Sequence, residues 1–192
     1  LKLFKGNTKA KKQASERYCY CVWLRHLSVL NDNNLDTSPK IVAELGPGDS
    51  LGVGIMSILS GADKYYSFDV HPKTTVEENI GLASILSTML LDKEPIPNQE
   101  EFPRVYPELE DYSFPSRLIN LSEITDNKLR KKSQIIDLLL ENMESTVDSE
   151  KLIHYVCPWN DDRLLKKGTV DLVFSQAVLE HVDDLEGTYS SM

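Results

Sequence analysis

The chain has 192 residues, 41% of them hydrophobic and 27% charged, enough for one domain with a sizeable core. Its formal net charge of −9 argues against an electrostatic grip on bulk nucleic acid, and no apolar run approaches the roughly 20 residues of a membrane span. No secretory leader pattern is present, and the three cysteines, Cys19, Cys21 and Cys157, fit neither a disulfide framework nor a zinc site. A cytoplasmic chain with reduced thiols is the expectation.

The first dozen residues are basic (Lys2, Lys5, Lys9, Lys11, Lys12) and read as a solvated arm. From about Ala10 to Leu30 the spacing of Tyr18, Cys21, Val22, Arg25 and Val29 predicts a helix. Residues 1–39 thus form an N-terminal arm and helix, and residues 40–192 an α/β domain. Pro39 forbids helix just before an apolar strand, Ile41 to Leu45. Leu51, Ile55, Ile58 and Leu59 have helical spacing, and Gly61 suits the position that ends that helix. Tyr65 to Val70 reads as a second strand.

Thr75 and Glu78 form a capping box that starts a helix running to about Leu91. Five of the nine prolines follow: Pro95, Pro97, Pro103, Pro107 and Pro115. A further helix is predicted from about Asp126 to Met143. Strands then follow over Leu152 to Val156 and, after a break at Gly168, Val170 to Phe174. Strands alternating with helices argue for a doubly wound, mainly parallel sheet. The connection between the second and third strands is far longer than a crossover needs, so residues 92–149 read as a helical, proline-rich insertion. Its two readings are a substrate-covering lid and a surface elaboration that pads the domain or serves a homo-oligomer.

The chemistry centres on Glu44-Leu-Gly-Pro-Gly-Asp49, where an apolar strand ends in a tight turn before a helix. In open α/β sheets ligands bind at such carboxyl ends. Gly46 and Gly48 let the backbone bend and approach a ligand, Pro47 stiffens the turn, and Glu44 is able to accept from a ligand amine. Asp69 ends the next strand, where a carboxylate can accept from both hydroxyls of a ribose. A dinucleotide site should show G-x-G-x-x-G, but Leu51 occupies the third glycine position; no P-loop signature is present.

Val42-Ala-Glu-Leu-Gly-Pro-Gly-Asp-Ser50 resembles the first motif of the class I S-adenosylmethionine-dependent methyltransferases, and Phe68-Asp69-Val70 their second. Val170-Asp-Leu-Val-Phe-Ser-Gln-Ala-Val-Leu-Glu-His-Val182 is similar to the fourth strand and following loop of their methyltransferase-11-like branch. The resemblance covers about Ile41 to Leu185 apart from the insertion. It implies a Rossmann-like fold with S-adenosylmethionine as cofactor and a small-molecule or saccharide-like acceptor. It also implies that Glu44, Gly46, Pro47, Gly48 and Asp49 meet the methionine moiety, Asp69 the ribose and Val70 the adenine. Ser175 and Gln176 would lie beside the methionine and the reacting sulfur.

The chain departs from the family after the third strand, where Cys157-Pro158-Trp159 precedes Asp161 and Asp162. Cys157 and Trp159 take the adenine-side positions there, and Trp159 offers a stacking face. Ala177 stands where some relatives carry a magnesium-binding carboxylate, so no metal is expected. His181 is either a general base for a hydroxyl acceptor or a structural histidine. Tyr18, Tyr20, Trp23, Arg25 and His26 are either a cover over the pocket or plain helix packing. The family sheet has seven strands against four here, which predicts a fragment of a longer polypeptide, truncated after the fourth strand. The rival functions are a non-catalytic binding module that keeps the cofactor fold and an NAD-type oxidoreductase.

Overall fold

A computed structural model describes residues 16–119, 126–141, 152–159 and 165–191. The basic arm, the Asp161–Asp162 pair and the end of the helix expected to reach Met143 lie outside those residues. Among the described residues no helix is long and apolar enough to cross a membrane.

Four parallel strands form one sheet in the order β3-β2-β1-β4, where β1 is Ile41–Leu45, β2 Lys64–Phe68, β3 Ile153–Val156 and β4 Leu172–Ser175. Leu45 stands opposite Phe68 and Ser175, and Phe68 opposite Val156, so all four strands finish on one line. The chain moves one way from β1 through β2 to β3, then returns to the other side of β1 for β4. With right-handed crossovers, that reversal carries the last connection over the opposite face of the sheet and opens a crevice between the carboxyl ends of β1 and β4.

The two faces are built differently. Val42, Tyr65, Ile153 and Phe174 point into a layer made of α1 (Glu16–Asp32), α2 (Gly52–Ser60), α4 (Leu82–Leu91) and α5 (Asp126–Glu141). α3 (Val76–Asn79) adjoins α5, and a short α6 (Leu185–Ser191) follows β4 and a 3₁₀ turn at Leu179–His181. Ala43, Tyr66, Phe68 and Val156 point the other way and meet Trp159, Leu165 and Val170 of the β3–β4 connection. Among the described residues, one face of the sheet therefore carries the helices and the other is crossed by the β3–β4 connection.

Two glycines set how closely α2 packs, one against β2 and one against α1. A Cβ on Gly54 would lie 2.0 Å from the Tyr65 ring, and one on Gly52 would lie 2.4 Å from Cys19 Sγ. α2 thus rests directly on β2, with α1 against it. Close helix–strand packing, which a dinucleotide fold takes from its third glycine, comes here from Gly54 inside the helix.

α1 is buried from Cys19 to Arg25 on all sides, as a helix covered by both neighbours must be. α2 covers one side, with Trp23 Nε1 donating to Ser60 Oγ at 2.9 Å. Residues 94–107 cover the other: Tyr20 donates to Glu94 O at 2.7 Å, and Arg25 donates to the carbonyls of Val105, Pro107 and Pro97 and to Gln99 Oε1 at 2.6–3.1 Å. A charged side chain this deep is tolerable because so many of its donors are met. Residues 94–107 of the insertion are thus a second skin on α1, whereas α5, also within it, packs on α4.

Three boundaries differ from expectation. The helix predicted from Thr75 to Leu91 begins with the expected reciprocal capping box, then breaks into α3 and α4 at Ile80–Gly81, where Gly81 adopts φ +86°. Isolated glycine inside a helical pattern is the signal that marks the break. β2 stops at Phe68, leaving Asp69 and Val70 beyond the strand. β4 starts two residues late because Asp171 is spent on a junction: its Oδ2 accepts from Lys40 N at 2.9 Å and Ile41 N at 2.8 Å, tying β4 to the start of β1.

Candidate functional site

The aligned strand ends bring the predicted site residues to one edge. Gly46 N donates to Phe68 O at 2.8 Å and Asp69 N to Val156 O at 3.0 Å, extending the parallel ladder one residue past β1 and β2. Gly46 through Asp49, Asp69, Val70, Cys157, Ser175 and Gln176 therefore all stand at the carboxyl edge of the sheet, around the crevice between β1 and β4.

Gly46 and Gly48 adopt φ +70° and +68°, which side-chain-bearing residues rarely take. The space above Gly46 belongs to the protein, since a Cβ there would lie 2.4 Å from Val178 Cγ2. Val178, in the loop after β4, thereby locks that loop onto the turn. Gly48 faces open space, with nothing within 4 Å of the same position. The expectation of a close approach to a ligand thus narrows from both glycines to Gly48.

The helix after the turn has its first amides occupied. Leu51 N donates to Asn79 Oδ1 at 2.7 Å and Gly52 N to Ser50 Oγ at 3.0 Å. Asn79 is itself fixed, its Nδ2 donating to Thr74 Oγ1 at 2.6 Å and Thr75 O at 2.7 Å. It escaped the sequence reading because an unbroken helix would have turned it elsewhere; the break at Gly81 lets it face the turn. A helix N-terminus offers phosphate its unpaired N–H groups, and these two are already paired.

Glu44 lies beneath the turn rather than in it. It is 3% exposed, points into the helical layer, and accepts a short hydrogen bond from Tyr65 OH. Burial pushes its carboxyl up to about 8, with the negative charge of Asp69 adding to the rise. It is therefore mostly protonated at neutral pH.

Asp69 lies one residue past the end of β2, at the edge itself. It is 5% exposed, and its Oδ1 accepts from Val70 N at 2.7 Å and, more weakly, from His71 N at 3.4 Å. Its Oδ2 is buried with no hydrogen-bond partner among the described residues. A buried acceptor left unmet costs about 1–3 kcal/mol, more if charged, and is the kind of group that a ligand donor would satisfy. Val70, beside it, is a large apolar side chain left 48% exposed at the same edge.

The remaining candidates divide. Cys157 follows β3 close enough to Asp69 that its thiol is pushed up by burial and by that negative charge. Trp159 is half-buried against the Phe68–Val156 face, so one side of its ring is already committed to packing. Ser175 Oγ donates to Leu45 O at 3.3 Å, bridging β4 to β1, with Gln176 half-buried just beyond. Ala177 adopts φ +56°, a strained turn at the mouth of the crevice. His181 is exposed on the 3₁₀ turn.

The aromatic–cationic group on α1 faces inward. Arg25 is spent on the insertion. His26 packs 4.7 Å from the Phe174 ring, and burial pushes its imidazole down to about 4, so it is neutral. Cys19, one turn before Trp23, sits 3.8 Å from Ser50 Oγ, so α1 supports the turn from behind.

Compared with models of protein families, with curated proteins and with solved structures, the chain finds no match.

Proposed function

We propose that this chain is a cytoplasmic, class I-like S-adenosylmethionine-dependent methyltransferase with a Rossmann-like fold. Its acceptor would be a small molecule or a saccharide-like group. The observation that carries the reading is the unmet, buried Oδ2 of Asp69 at the end of β2, beside an exposed Val70. A ribose offers two neighbouring hydroxyl donors, and an adenine offers an apolar face for Val70; the donor set suits that nucleoside.

The neighbouring groups favour a cationic methionine tail over a pyrophosphate. Two amides at the start of α2 are occupied by Asn79 and Ser50, and the carboxyl side chains at this edge are Asp49 and Asp69, with Glu44 buried beneath them and largely protonated. A phosphate-bearing dinucleotide would find those two amides taken and acidic side chains beside the turn. Gly48 faces open space, Gln176 follows β4 at the same edge, and Val178 holds the loop after β4 against Gly46, which supports a reacting end placed between them.

When bound, S-adenosylmethionine supplies a methyl group on a positively charged sulfur. The chain's own part is to orient the nucleoside through Asp69 and to exclude water at the β1–β4 crevice. Calorimetric titration with S-adenosylhomocysteine and with NAD(H) tests the reading. It predicts saturable binding of the first and none of the second; the reverse pattern overturns it.

A further inference from the structure

At the other end of the sheet, where the strands begin, lies a cavity of about 490 Å³. With β1 five residues long, it sits roughly 15 Å from the carboxyl-edge crevice, and none of the site residues lines it. Its walls come from three places: Lys40 ahead of β1, Asp63 ahead of β2, and Lys128 and Lys132 in the first turns of α5. Trp23 and Ser60, already bonded to each other, form part of its floor.

The charge here runs against the molecule. Among the described residues, a chain of net charge −9 gathers three lysines and one aspartate around a single recess, a local balance of +2. Lys40 uses one of its three donors on Gly61 O at 3.1 Å. Lys132 has neither a hydrogen-bond nor an ion-pair partner among the described residues, although its side chain is partly buried. Burial pulls its ammonium below the ordinary lysine range; Asp63 opposes this shift and Lys40 adds to it. Asp63 offsets Lys40, but the burial of the Lys132 charge is left uncompensated, and a second anion in the cavity would relieve it.

We propose that this cavity is an anion site for a small phosphate monoester, with Lys40 and Lys132 as its principal ligands and Lys128 at the wall. The local charge of +2 matches a phosphate monoester near neutral pH, which carries about −1.5 to −2. Ammonium groups serve phosphate as point charges, without the bidentate fork that a planar carboxylate favours. The cavity exceeds a bare phosphate ion and falls within the range of small-molecule pockets, so the phosphate carries a compact organic body.

The test is calorimetric titration of the full chain with inorganic phosphate and with phenyl phosphate, at constant ionic strength set by chloride. Saturable binding of both is expected, tighter for phenyl phosphate. Lys132→Met and Lys40→Met should each weaken binding about tenfold or more, since each removes a charge-assisted contact, whereas Lys167→Met in the exposed loop before β4 should leave it unchanged. Lys132→Met should also unfold no more readily than the parent without phosphate, because it removes a partly buried charge. Should one variant fail to fold, the other decides. No saturable heat, or equal affinity in the parent and both cavity variants, overturns the proposal. So does weakening by Lys167→Met as large as that by the cavity variants, which would mark diffuse charge attraction.

Discussion

Replacing Glu44 by Gln is the most informative single perturbation of the turn. Glu44 is buried, its nearest polar partner is the Tyr65 hydroxyl, and its carboxyl is raised from 4.5 to about 8. A raised folded-state value means that the native protein holds a proton the unfolded chain releases. Stability is therefore full below about pH 4.5 and falls as pH rises toward 8. His26 acts in the opposite sense: its lowered value, about 4 against 6.5, makes stability rise with pH between those limits. The two overlap in the acidic range, but between pH 6.5 and 8 Glu44 acts without His26. One proton contributes about 1.4 kcal/mol per pH unit, so the parent should lose up to about 2 kcal/mol across that window through this group. Glu44→Gln cannot ionise and keeps an oxygen for Tyr65 OH. Urea unfolding of both proteins at half-unit steps from pH 6.5 to 8 measures the difference, which should grow steadily in favour of the variant. Parallel profiles would refute the argument, because they require a Glu44 that titrates alike in the folded and unfolded chain.

Three other perturbations probe the site and its support. Asp69→Ala should weaken S-adenosylhomocysteine binding by roughly 1–3 kcal/mol while leaving the fold intact, read by calorimetry and circular dichroism. Gly46→Ala forces a side chain into a φ of +70° and onto Val178, so the unfolding midpoint should drop by about 1–3 kcal/mol equivalents; adding Val178→Ala should recover part of that loss. Arg25→Met removes the side chain that joins the carbonyls of Pro97, Val105 and Pro107, leaving Cys21 Sγ on the first, Gln99 Nε2 on the second and, among the described residues, no donor on the third. It should cost about 1–3 kcal/mol, with faster amide exchange confined to residues 94–107.

What could be read from the sequence was local. Ile41–Leu45 is an apolar run between a proline and a glycine turn, and it forms the strand those neighbours allow. Thr75 and Glu78 are three residues apart, so their reciprocal cap was visible without any tertiary information. The features that escaped depend on distant partners. Arg25 is buried because carbonyls 72 to 82 positions away converge on it. Asp171 is withdrawn from β4 because two amides at the start of β1 need an acceptor. Glu44 looked like a ligand-facing acid from its place before the glycines, yet strand alternation turns it toward Tyr65, and only Asp69, one residue past its strand, stays at the edge. Gly54 looked like an ordinary helical residue, although the Tyr65 ring occupies the space where its side chain would be.

The central claim is that a nucleoside with a cationic amino-acid tail binds at the carboxyl edge, on Asp69 and the turn. Backbone amide chemical shifts recorded while S-adenosylhomocysteine is added test it most directly. The account predicts saturable shifts concentrated at residues 46–49, 69–71 and 175–178, absent when NADH is added instead. Shifts confined to other parts of the chain, or the same edge responding to NADH and not to S-adenosylhomocysteine, would contradict it.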